Sequence, residues 1–211
     1  MNRIILSSAL ITLLFIGCSK KDDFTFNTDL ALDSRFIILN APADTTKIVV
    51  YSDHSWTMEN RDNASWIIVQ KGSGNGMAYA IVAVTANISD YARASTLLFK
   101  SGSKTDTLKL GQRGVITPTI AITATTVSSP ATGTAISTAI NTNLPLSVMN
   151  VDYSGDGRSW ITGLAIAGNN LTFNVAENTN SAARSSKIYL NYLDVLGTTA
   201  KDSLTVNQLQ P

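Results

Sequence analysis

The sequence contains one cysteine, Cys18, and one histidine, His54. A single thiol excludes an intramolecular disulfide framework. A single imidazole excludes the H-E-x-x-H metal pair, and no G-x-S-x-G nucleophile motif occurs. His54 lies in "SDHSW" beside Asp53, but sequence neighbours on an extended chain point to opposite faces and do not build a triad. Charge is also scarce: 16 Lys and Arg stand against 15 Asp and Glu, with no basic stripe to neutralise phosphates, so nucleic acid is excluded as a partner. No apolar run reaches the roughly 20 residues of a membrane-spanning helix. "KGSGNG" (71–76) lacks the Lys-Ser/Thr that completes a phosphate loop. "DYSGDG" (152–157) opens like a calcium loop but has Gly163 where the twelfth position needs a bidentate Glu. The sequence therefore implies no metal, no cofactor and no catalytic residues.

What is present is Thr, Ser, Asn and Ala, a balance that suits strands and turns. "TKIVVYS" (46–52), "AYAIVAVTA" (78–86), "STLLFKS" (95–101), "DTLKLGQ" (106–112), "NLTFNVAE" (170–177), "SSKIYLNY" (185–192) and "DSLTVNQ" (202–208) are rich in β-formers and bounded by turn residues. Leu108 and Leu110 share one face, as do Leu171, Phe173 and Val175, the period of half-buried strands. No window sustains helical periodicity. The chain is expected to be all-β.

At the N-terminus, Asn2-Arg3 precedes an apolar stretch from Ile4 to Ile16, the length of a signal-peptide core. "FIGC" (15–18) resembles a bacterial lipobox, with Phe15 where Leu is usual. The resemblance implies that residues 1–17 are a lipoprotein signal peptide and that Cys18 is lipidated, making the membrane a partner through the N-terminal lipid. Several acyl chains together anchor stably where one does not. "SKKDDF" behind the cysteine resembles the surface-export signal of Bacteroidetes lipoproteins, which implies an outer-membrane protein exposed at the cell surface. Residues 18–34 are expected to form a flexible tether.

The rest of the chain repeats itself. The first half carries Trp66, Asn87, Arg93 and Gln112; the second carries Trp160, Asn178, Arg184 and Gln208. "NISDYAR" and "NTNSAAR" share the spacing N-x5-R, and each copy closes on a strand ending in Gln, "LKLGQ" or "LTVNQ". The seam lies near "GVITPT" (114–119), giving domains at 35–114 and 115–211. Each half resembles a BACON domain, a Bacteroidetes-associated module to which carbohydrate binding is ascribed. The resemblance implies two tandem immunoglobulin-like β-sandwiches, with glycans or glycan-processing surface proteins as partners, or alternatively a spacer or adhesion module with no sugar binding of its own. Trp56 also fits the first copy, whereas the aligned region of the second, "PLSVMNV" (145–151), offers no clear counterpart.

Residues required twice are read as fold markers. The two repeated tryptophans are expected to pack in cores, the asparagines to close turns, and the Arg and Gln side chains to bond at sheet ends. Aromatics outside the repeated positions are the ligand candidates: Tyr91 in the N-x5-R loop, Tyr153 in "DYSGDG" and Tyr192 near a hairpin tip.

Overall fold

A computed structural model describes residues 28–211. Cys18, the apolar run before it and the charged stretch behind it lie outside the described residues. The strands fall into two groups with one recurring topology. The first group is β1 (Ala31–Leu32), β2 (Phe36–Leu39), β3 (Asp44–Tyr51), β4 (Ser55–Asn60), β5 (Ile67–Lys71), β6 (Ser73–Asn75), β7 (Ala78–Val84), β8 (Arg93–Ser101) and β9 (Lys104–Gln112). They form one sheet ordered β1-β3-β7-β5 and a second ordered β2-β9-β8-β4-β6. The second group is β10 (Ile120–Ile122), β11 (Thr126–Ser129), β12 (Thr134–Thr142), β13 (Asn150–Tyr153), β14 (Ile161–Ala167), β15 (Asn170–Val175), β16 (Arg184–Leu193) and β17 (Thr199–Gln208). Its sheets are ordered β10-β12-β15-β14 and β11-β17-β16-β13. Each sandwich opens by switching sheets: β1 and β10 pair antiparallel with β3 and β12, then β2 and β11 pair parallel with β9 and β17. The fold is all-β and immunoglobulin-like, as the alternation implies.

Alternation also places the cores. Leu108 and Leu110 share a core with Ile48, Val50, Val82 and Leu97 in the first sandwich, and Leu204 and Val206 share one with Ile140, Leu171, Ile188 and Leu190 in the second. Each such side chain stabilises by about 1.5–3 kcal/mol on full burial.

The sequence reading differs from the structure at the tether, and two glycine-rich stretches have local roles of their own. The tether does not run to residue 34: Ala31 and Leu32 pair with Tyr51 and Val50, and the Ser52 hydroxyl donates to the Asp29 carbonyl. "DYSGDG" ends β13 and leads into a short helix, α1 (Gly157–Trp160). "KGSGNG" carries the chain from β5 in one sheet to β6 in the other. There Gly74 lies on the Trp56 indole, where a Cβ would come within 2.5 Å of the ring, so the close approach requires glycine.

The strand register supplies the missing counterpart of Trp56. Met58 pairs with Phe99 and Val151 with Leu190, so Trp56, two residues before Met58, corresponds to Met149, the residue just before β13. On the neighbouring strand, Ser101 corresponds to Tyr192. The second sandwich has thus moved its bulk across the strand pair: a buried Trp and a Ser become a buried Met and a buried Tyr.

Candidate functional site

The repeated residues assemble into one hydrogen-bonded knot at an end of each sandwich. Arg93 donates through Nε and Nη2 to Gln112 Oε1, at 2.9 and 2.7 Å, and through Nη2 to the Thr85 carbonyl. Gln112 Nε2 donates to the Ala41, Pro42 and Thr85 carbonyls. In the second sandwich Arg184 Nε donates to Gln208 Oε1 at 2.7 Å, and its Nη2 donates to the Ala176 and Glu177 carbonyls. Gln208 Nε2 reaches the Pro130, Ala131 and Ala176 carbonyls. Each guanidinium also lies 4.6 Å from an indole, Arg93 over Trp66 and Arg184 over Trp160. Desolvation lowers the Arg93 pKa from its ordinary value. Asn87 and Asn178 do the same work in their loops: Asn87 Nδ2 donates to the Tyr91 and Arg113 carbonyls, and Asn178 Nδ2 to those of Ala182 and Leu209. The knot commits the side-chain amides of Gln112, Gln208, Asn87 and Asn178, and the Nε and Nη2 groups of both arginines, to partners within the protein. The two tryptophans differ in depth. Trp160 is buried in the second core, whereas Trp66 is half-buried at the rim of the first, whose deep indole is Trp56.

The three ligand-candidate tyrosines lie along the chain where the sequence reading puts them, and their side chains are wholly or partly buried. Tyr192 lies near the tip of the β16–β17 hairpin, and its side chain is buried in the second core, because it shares the inward face of β16 with Ile188 and Leu190. Burial raises its pKa, with lesser contributions from the Asp194 charge and Tyr91. Tyr153 is half-buried against the same core under the Arg158 guanidinium, and desolvation raises its pKa. Tyr91 leaves the first sandwich's loop and packs onto the core of the second.

Tyr91 belongs to a joint between the sandwiches. The loop after β16 lies on the outer face of β9: Leu196 sits over Gly111, and Lys109 Nζ donates to the Val195 carbonyl at 2.7 Å. The Asp194 carboxylate holds the loop by accepting the Leu196 and Thr198 N–H groups, both at 2.8 Å. A Cβ at Gly111 would overlap Leu196 Cδ2; the second copy has an exposed Asn207 there. The cleft beside the joint, lined by Asp90, Arg113, Thr117, Tyr192, Asp194 and Thr198, holds about 90 Å3, well below the roughly 300–1,000 Å3 of small-molecule pockets. Gly111→Val is expected to expel Leu196 and free the two sandwiches to move. Small-angle scattering should then show a broadened distribution of shapes, and an unchanged profile would refute the lock.

The outward sheet faces are where the two copies part. In the first sandwich Val49 pairs with Tyr79, and Lys47, Ile81 and Lys71 form the next row; the second has Ala139 with Asn170, and Ser137, Thr172 and Ala165. On the other sheet of the second sandwich, the row Asp152, Tyr189, Ser203 lies beside Asn150, Asn191, Lys201. The first sandwich has Glu59, Leu98, Thr107 and Thr57, Lys100, Thr105 at those positions. Tyr79 and Tyr189 are 50% and 37% exposed. The sequence reading missed both, although strand parity carried the signal: each alternates with core residues, Tyr79 with Ala80 and Tyr189 with Ile188 and Leu190. Around Tyr189 lies a shallow hollow of about 430 Å3, lined with Asn191, Lys201, Asp202 and Ser203.

The two sandwiches, each with its Trp–Asn–Arg–Gln knot, define a tandem immunoglobulin-like protein. The BACON family, described as "Putative binding domain, N-terminal", matches residues 46–113 and 150–209. The chain belongs to that family. No curated protein matches it. Among solved structures it is similar to a Bacteroides ovatus GH5 xyloglucanase in complex with a XXXG heptasaccharide: 18% identical, TM-score 0.37, over 49% of this chain and 21% of that one. The chain thus spans about a fifth of that enzyme. It is also similar to a protein from Bacteroides thetaiotaomicron, 14% identical, TM-score 0.33, over 46% of this chain and 97% of that one. The titin domains Z1Z2 in complex with telethonin align over 89% of this chain and 95% of theirs, at 10% identity and TM-score 0.32. At TM-scores this low, these likenesses decide nothing about function.

Proposed function

We propose that the protein is a non-catalytic lipoprotein of the outer membrane, displayed at the cell surface, whose tandem sandwiches bind glycans. One observation carries the binding part. The residues the fold needs recur in both copies, whereas the outward faces differ completely and each sandwich places one exposed tyrosine there, Tyr79 or Tyr189. Aromatic faces stack on sugar rings, and a ring that the fold does not require is free for that use. The anchoring part rests on the sequence around Cys18. Catalysis finds no support: His54 is exposed, and among the described residues no three His, Cys, Asp or Glu side chains gather to hold a metal.

Affinity electrophoresis of the purified protein through a panel of polysaccharides tests the binding part. Retardation by at least one polymer is expected, and uniform mobility throughout would sink it. Cys18→Ser is expected to abolish labelling by an alkynyl fatty acid and release the protein from the outer-membrane fraction. A second reading, a spacer that holds a partner away from the membrane, is favoured by one observation, the Leu196–Gly111 lock.

A further inference from the structure

Resting on the glycan-binding reading, we infer that the hollow around Tyr189 is the sugar site and that it takes an uncharged hexopyranose chain. The argument begins with what surrounds the ring. Asp152 and Ser203 flank Tyr189 in its row, Asn191 and Lys201 lie in the next, and Lys187 holds its ammonium 6.0 Å from the ring centroid. Every neighbour on this face carries a hydrogen-bonding side chain. Those of Asn150, Asn191, Lys201 and Ser203 have no hydrogen bond or ion pair among the described residues, so their donors and acceptors are available to a ligand.

The corresponding place in the first sandwich serves as an internal control. There Leu98 replaces the tyrosine, and its neighbours Lys100 and Glu59 satisfy each other in an ion pair at 2.7 Å. The same topology is closed in one copy and open in the other, so the open chemistry is not a requirement of the fold. The face around Tyr79 offers a ring but surrounds it with Val49, Ile81 and Lys47, few of which can read hydroxyl groups.

Charge selects the ligand class. The hollow and its rim hold Lys187 and Lys201 against Asp152 and Asp202, and the Asp202 carboxylate accepts the Ile122 and Ser203 N–H groups. Two positive charges against two negative give no net field to attract a uronate or a sulfate. A balanced mixture of donors and acceptors around an aromatic face instead complements a neutral sugar, whose hydroxyls donate and accept and whose C–H surface stacks.

The test is affinity electrophoresis and calorimetry on the purified protein. The probes are neutral polysaccharides (a β-glucan and a galactomannan) and acidic ones (polygalacturonate and a sulfated galactan), at about 0.05 and 0.5 M salt. Binding to a neutral polymer is expected, insensitive to salt, weakened about tenfold by Tyr189→Ala and retained by Tyr189→Phe and Tyr79→Ala. The thermal midpoint of Tyr189→Ala should stay at that of the parent, because the ring points outward. Neutral-glycan binding that ignores Tyr189, or binding confined to acidic polymers and abolished by salt, would overturn the inference and leave the glycan-binding reading standing. Absence of binding to any polymer overturns both.

Discussion

Trp160→Ala is expected to lower the protein's stability by about 3–5 kcal/mol, the cost of removing a fully buried indole and leaving its cavity. Trp160 is 2% exposed and packs in the second core. It lies on α1, with its N–H donated to Asp156 Oδ1 at 3.2 Å and its ring beside the Arg184 guanidinium. Truncation therefore also strips one face from that cation. Trp66→Ala is the control. Trp66 holds the equivalent place over Arg93, but it is half-exposed and the first core keeps Trp56, so its loss should cost only about 1–2 kcal/mol. Urea denaturation followed by circular dichroism measures both. Equal losses would mean that the difference in depth between the two indoles has no energetic content. A loss below 1 kcal/mol for Trp160→Ala would remove it from the core altogether.

That asymmetry marks the limit of what the sequence conveys. Strand positions were legible because burial on one face imposes a period of two, and the apolar residues of "LKL", "LTV" and "LTFNV" all face inward. The repeat was legible because the knot fixes residue types, and because the Asn and Arg stand six positions apart in both copies while the hairpin between Arg and Gln varies in length. The depth of Trp66 and Trp160 was not, since it depends on α1, whose Gly157 packs on Ser186 and lets the second indole tuck in. The candidate site was legible in principle. In "KIYLNY" Tyr192 has the parity of Ile188 and Leu190 and belongs inside, while Tyr189 alternates with them and belongs outside. Nothing in the sequence announces the joint. Leu196 and Gly111 meet across 85 positions of chain, and only the contrast of Gly111 with Asn207 hints at a partner for the outer face of β9.

Gln208→Leu should cost as much as the tryptophan, about 3–5 kcal/mol, although it removes no volume. The amide is buried and satisfied at both ends: Oε1 accepts from Arg184, and Nε2 donates to three carbonyls that close the ends of β11 and β15. Leucine strands the Arg184 Nε–H in a dry environment, at about 1–3 kcal/mol, and takes one donor from each carbonyl, at about 0.5–1.5 kcal/mol per hydrogen bond lost; the Pro130, Ala131 and Ala176 carbonyls keep the Gly133 N–H, the Asn178 N–H and Arg184 Nη2. Removing both sides of the knot should hurt less than the sum. In a double-mutant cycle with Arg184→Leu, a coupling energy of about 1–3 kcal/mol is expected, because the cation no longer has to be stranded. Arg184→Lys should not rescue, since an ammonium cannot reach Gln208 Oε1 and the Ala176 and Glu177 carbonyls with a planar fork. The partners of Arg184 are an amide and two carbonyls, with no carboxylate among them, so the penalty measured at pH 4 should equal that at pH 7. Gln112→Leu should repeat it in the first sandwich, where Arg93 and the Ala41, Pro42 and Thr85 carbonyls occupy the same places. Additive cycles, or a penalty that vanishes as carboxylates protonate, would show that the knot is not what closes these sheet ends.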